Sequence, residues 1–136
     1  MKKLLSIICV AVITLTAASC KKETVVQPNT NTTKFFTVNS SQWQLVTDGG
    51  GSYVVDIAIP ALDAKYSDEG AVLVYIAPPN STEWEQIPET FNGRAYSFTH
   101  DVGRVSIYAQ NPSGSGTPTV PPSFQVKVVL IDSNAN

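Results

Sequence analysis

The stretch from Ser52 to Pro60, "SYVVDIAIP", decides the fold. Tyr53, Val55, Ile57 and Ile59 are apolar at every second place, and Ser52 and Asp56 alternate with them. Successive side chains of a strand point to opposite faces, so a period of two describes a strand with one buried face and one wet face. The same signal recurs on either side. "RVSIYA" puts Val105, Ile107 and Ala109 on one face, with Arg104, Ser106 and Tyr108 on the other. "FQVKVVLID" alternates through Phe124, Val126, Val128 and Leu130, and its second face turns apolar at Val129 and Ile131. "AVLVYIA" (Ala71 to Ala77) is apolar on both sides, as expected of a central strand covered on each face.

The connections agree with strands. "TDGGGS" (Thr47 to Ser52) reads as a hairpin loop, because its glycines reach positive φ at little steric cost. A phosphate-binding nest would need a helix start or a Lys-Ser/Thr pair after it, and neither follows. "PPNSTEW" and "FNGRAY" are further turns, and "FFTV", "WQLV" and "YSFTH" are shorter strand candidates. Only Ala61 to Tyr66 offers a helical turn. The sum predicts an all-β domain, an antiparallel immunoglobulin-like β-sandwich of about seven to eight strands, with a small closed barrel as the other architecture. The connection from Gln110 to Ser123, "QNPSGSGTPTVPPS", reads as a mobile connector or as a binding loop.

Upstream of these strands the chain changes character. Lys2 and Lys3 precede an apolar run from Leu4 to Leu15, and Ala17-Ala18-Ser19 are small. That order describes a signal peptide over residues 1–19, too short in its apolar part to span a bilayer. Cys20 follows directly and is the expected lipidation site, the alternative being a plain secreted chain with an incidental cysteine. Residues 20–34 then form the lipidated cysteine and a polar tether, and residues 35–136 the folded domain. Fourteen tether residues as a random coil reach roughly 20 Å. Without the first nineteen residues, 7 basic face 11 acidic residues, so no basic surface is expected to recruit nucleic acid. Cys9 would leave with the signal, and a capped Cys20 leaves the domain to be held by packing alone.

Two resemblances follow from these residues. Ala17-Ala18-Ser19-Cys20 resembles the lipobox of bacterial lipoproteins, with Ala17 in place of the usual Leu. That resemblance implies acylation of Cys20, as by palmitate, and an outer-membrane address facing either the periplasm or the cell surface. The order Trp43, "YVVDIAIPALD", "GAVLVYI", Trp84, "IPETF" and "SFQVKVVLI" resembles a group of small Bacteroidetes lipoproteins and tail domains of uncharacterised role. The shared positions are core and turn residues, so they imply a fold and no reaction.

The chemistry-bearing residues are few. His100 is the single histidine, and its neighbours Ser97 and Asp101 on one strand cannot converge with it into a triad. One histidine without domain cysteines cannot build a zinc site, and Asp63, Asp68 and Glu69 do not match a calcium loop. Glu83, Glu85 and Glu89 lie too close in sequence to flank a cleft as glycosidase carboxylates do. No catalytic residue, metal or cofactor is therefore assigned. Trp43, Trp84, Tyr75, Tyr96 and Tyr108 could stack on sugar rings, although Trp43, Trp84 and Tyr75 read first as core. Tyr108, on the polar face of its strand, and Trp84 are the candidate ligand contacts. The expected protein is a non-enzymatic envelope lipoprotein, held to a membrane by lipid and acting by contact with an envelope protein or a glycan. A carbohydrate-binding accessory role is the alternative, followed by a small hydrolase.

Overall fold

Nine strands form among the described residues, which are 30–47, 51–116 and 118–133 of this computed structural model. They are β1 (Thr32–Val38), β2 (Gln44–Val46), β3 (Ser52–Ala58), β4 (Ala71–Ala77), β5 (Glu85–Ile87), β6 (Glu89–Phe91), β7 (Arg94–Asp101), β8 (Arg104–Gln110) and β9 (Phe124–Ile131). The signal-like segment, Cys20 and the tether as far as residue 29 lie outside the described residues. Among the described residues no helix is long and apolar enough to cross a membrane.

The strands make two antiparallel sheets, one ordered β1-β9-β4-β5 and the other β2-β3-β8-β7-β6. Both contribute to one core, a sandwich-like all-β arrangement. Alternation explains which residues meet there. Val55 and Ile57 of β3, Val105, Ile107 and Ala109 of β8, and Phe124, Val126, Val128 and Leu130 of β9 are buried, while Asp56, Ala58 and Arg104 are exposed. Tyr96 stacks edge-on against Phe124 at 5.5 Å across the two sheets.

Three expectations change. The first strand begins at Thr32, so Thr32, Thr33 and Lys34 belong to the domain and not to the tether. These residues carry no apolar period because β1 sits at a sheet edge and is held by backbone pairing to β9 from Thr32↔Leu130 to Val38↔Phe124. Among the described residues strand β4 is covered on one face only: Val72, Val74 and Ile76 are buried, whereas Leu73 and Tyr75 are half-exposed. Strands β5 and β6, three residues each, raise the count above the expected seven or eight because such short pieces show no period.

The turns have local causes. Asn92 and Gly93 both take positive φ, 49° and 73°, which is the geometry a two-residue hairpin needs between Phe91 and Arg94. A helical turn, α1 (Ala64–Asp68), starts where Asp63 accepts a hydrogen bond from the Tyr66 amide at 3.1 Å, and a 3-10 turn spans Ser40–Gln42. Residues 118–123 of the connection between β8 and β9 are anchored. Pro118 and Pro121 are buried, Ser40 donates to the Pro121 carbonyl at 2.9 Å, and Arg94 bonds Thr119.

Gly70 lies at a close approach of backbone to backbone. A Cβ there would lie 2.4 Å from the Ile131 carbonyl oxygen and 3.0 Å from that of Tyr66, both backbone atoms that cannot swing aside. Gly70→Ala is therefore expected to cost about 2 kcal/mol or more. A urea denaturation midpoint equal to that of the parent chain would contradict this close contact.

Candidate functional site

The outer face of the β1-β9-β4-β5 sheet gathers aromatic rings around a cation. Because Val126 and Val128 point into the core, Lys127 between them points outward. The register sets Phe35 of β1 and Tyr75 of β4 opposite Lys127 on its two sides, with Gln86 of β5 opposite Tyr75. Trp84 precedes β5 by one residue and shares the side of Gln86. The Lys127 ammonium lies 4.1 Å from the Tyr75 ring centre and 4.8 Å from that of Trp84. Phe35 and Trp84 meet at 5.9 Å with their planes tilted by 55°. Each cation–π contact contributes about 0.5–1 kcal/mol at an exposed site, enough to hold the Lys127 stem across the sheet.

The face remains open. Phe35 is 66% exposed, and a shallow groove of about 170 Å³ is lined by Phe35, Phe36, Thr37, Trp84 and Gln125. Apolar ring faces, one ammonium and the amide and hydroxyl groups of Gln125 and Thr37 suit a ligand with both C–H faces and oxygen acceptors. The groove is shallower than the cavities that enclose small molecules, so it fits part of a chain lying along the sheet.

The two contact residues expected from sequence do not share a site. Trp84 belongs to this face, whereas Tyr108 lies on the outer side of the other sheet, between Val54 and Ser97, where its hydroxyl accepts from Thr99 Oγ1 at 3.5 Å. Of the three aromatics read first as core, Trp43 is buried, its indole Nε1 without a hydrogen-bond partner among the described residues. Tyr75 and Trp84 are not in the core. Sequence reasoning missed Phe35, Tyr75 and Lys127 as a group. The parity of Lys127 was readable in "FQVKVVLI", but the register that aligns it with Phe35 and Tyr75 was not.

The remaining polar residues stay apart. Glu85 lies on β5 and Glu89 on β6, in different sheets, and Glu89 accepts from the Thr90 amide. His100 is exposed near the end of β7. Asp63 caps α1, and no group of three or more His, Cys, Asp or Glu suited to a metal gathers among the described residues. Comparison of the chain with protein-family models, with curated proteins and with solved structures finds no match.

The point where the chain enters the domain is clamped. The Tyr66 hydroxyl donates to the Thr30 carbonyl at 2.6 Å, the Asp132 amide donates to Asn31 Oδ1 at 3.0 Å, and Thr30 Oγ1 donates to the Asp132 carboxylate. Lys65 Nζ pairs with that carboxylate at 2.6 Å. The bonds from Lys65 and then from Thr30 hold the Asp132 carboxyl below its ordinary 3.8, and the bond to Asp132 raises Lys65 above its ordinary 10.5. A depressed acid stabilises the fold above its ordinary value and loses that contribution as pH falls through the depressed one. A raised base does so below its ordinary value and loses it as pH rises through the raised one. Stability of the parent chain should therefore fall more steeply than that of Asp132→Asn on acidification below about pH 4. Parallel slopes in urea midpoints against pH would remove the clamp from the account.

Proposed function

We propose that this chain is a lipid-anchored, non-catalytic binding module of the cell envelope that recognises a glycan on the outer face of its four-stranded sheet. The observation that carries the reading is the cluster of Phe35, Tyr75 and Trp84 around Lys127. Aromatic faces present a large, rigid surface to the C–H faces of a pyranose, and the ammonium donates to hydroxyl or carboxylate oxygens.

The fold supports such a role. In sequence terms the sheet β2-β3-β8-β7 follows the A-B-E-D order of immunoglobulin domains, and β5-β4-β9 follows C′-C-F. Strand β1 takes the place of G beside β9. On this reading the domain is immunoglobulin-like, with its first strand in the position usually filled by the last. Polarity supports it too. The chain enters at Thr30 beside Asp132, and the groove sits toward Thr37 and Gln125, roughly 17 Å further along β1. A tether acylated at Cys20 would leave from the end remote from the groove, keeping the rings clear of an outer-membrane surface.

Two measurements test this. The Cys20 anchor predicts that globomycin stalls processing and that Cys20→Ser abolishes incorporation of labelled palmitate; normal maturation without label would remove the anchor. Tryptophan fluorescence titrated with neutral and uronate-containing oligosaccharides should report binding at Trp84. Read by calorimetric titration, Trp84→Ala should weaken that binding at least tenfold, about 1.4 kcal/mol, and Tyr108→Ala should leave it unchanged. Equal loss in both variants, or no response across the panel, would defeat the glycan reading.

A further inference from the structure

The two sheets have four edges, and three of them are blunted. Strands β2, β5 and β6 are three residues long, and Pro88 lies between β5 and β6. Short edge strands and proline are the usual protections against strand addition. Strand β1 has neither. Its seven residues pair with β9 in unbroken register, it contains no proline, and among the described residues no strand pairs its other side. Lys34 is its one charge, and Phe35 at its middle is the most exposed large apolar residue of the described chain. Beside it the sandwich is open. Strand β3 outruns β2 beyond Val54, leaving a gap of about 210 Å³ lined by Phe36, Thr37 and Val38 on one side and by Val55 to Ala58 on the other.

We propose that β1 is the joint between two copies of this chain, which pair antiparallel about a two-fold axis through Phe35 and join their four-stranded sheets into one of eight strands. The occupant is argued from self-complementarity. A half-turn about Phe35 uses all seven residues and sets Phe35 against its mate, Thr33 against Thr37, Thr32 against Val38 and Lys34 against Phe36. Aromatic and threonine pairs of this kind are favourable across strands, and the one charge never faces itself. A half-turn about Lys34 would set two ammonium groups directly opposite. The pairing places both Phe35 rings on the outer face, so the two aromatic clusters become one continuous platform. One strand pair with its flanking rings buries less than the roughly 1,600 Å² of a standard interface, so the association is weak in free solution and favoured where copies are concentrated.

The register makes the test specific. In the full chain, with Cys9 and Cys20 replaced by serine so that one thiol remains, Phe35→Cys brings two thiols to a directly opposite pair, within disulfide reach. Thr33→Cys leaves them roughly 13 Å apart along the strands. At high concentration under mild oxidation, Phe35→Cys should cross-link at least tenfold faster than Thr33→Cys or Thr37→Cys alone. A mixture of the last two chains should yield a mixed dimer. Equal rates at all three positions, or no cross-link at Phe35, would overturn the proposal. Benzoylphenylalanine in place of Phe35 identifies the occupant in cells: an adduct of twice the chain mass supports it, and an adduct of any other mass assigns the edge to a different partner and overturns it.

Discussion

Burial of one side of β9 is the constraint on which the molecule turns. Phe124, Val126, Val128 and Leu130 are each at most 3% exposed, and fully burying such a side chain contributes about 1.5–3 kcal/mol. The same strand pairs β1 on one edge and β4 on the other, so it fixes the whole four-stranded sheet. Once those four residues point inward, Lys127 has no choice but to point outward. Beyond its last residue the chain reaches Asp132, which closes the clamp on Thr30 and Asn31. Core, aromatic face and clamp are thus three consequences of one alternating segment.

The face itself is a compromise between packing and exposure. Leu73, Tyr75 and Val129 would be poorly placed on a bare wet sheet, and among the described residues no helix or second layer covers them. Lys127 and Trp84 cover part of that surface with side chains that tolerate water at one end and apolar neighbours along their length. The result is a surface that is apolar in its interior and polar at Gln86, Gln125 and Thr37. A residue such as Lys127 replaced by valine would extend the apolar patch and leave the rings without their shared partner.

Much of this was legible in the residues, and what was not has a common cause. Period-two alternation in "SYVVDIAIP", "RVSIYA" and "FQVKVVLID" identifies the buried side of β3, β8 and β9, although Ser52 and Ser106 on the expected wet side are buried as well and the outward residues of β9 are half-buried. Strands β2 and β3 pair antiparallel on either side of "TDGGGS", with Val46 opposite Ser52 and Gly51 at a positive φ of 71°. Strand β4 misled because an apolar residue looks the same whether a second layer or a neighbouring ring covers it. Thr32 to Lys34 hid because edge pairing is a backbone matter. Trp84 was singled out as a possible contact and lies on this outer face, but its companions come from strands far apart in sequence, and alternation within one strand carries no information about alignment between two. The anchoring of residues 118–123 depends on Ser40 and Arg94, which no local pattern ties to them.

The clamp has a further architectural meaning. Since Thr30 and Asp132 touch, the beginning and the end of the folded unit emerge side by side at one pole. A domain of that shape can be spliced into a loop of another protein, or strung as a bead between neighbours, without stretching its hosts. It keeps the same pole outermost whether it is carried from its front, from its rear or from both.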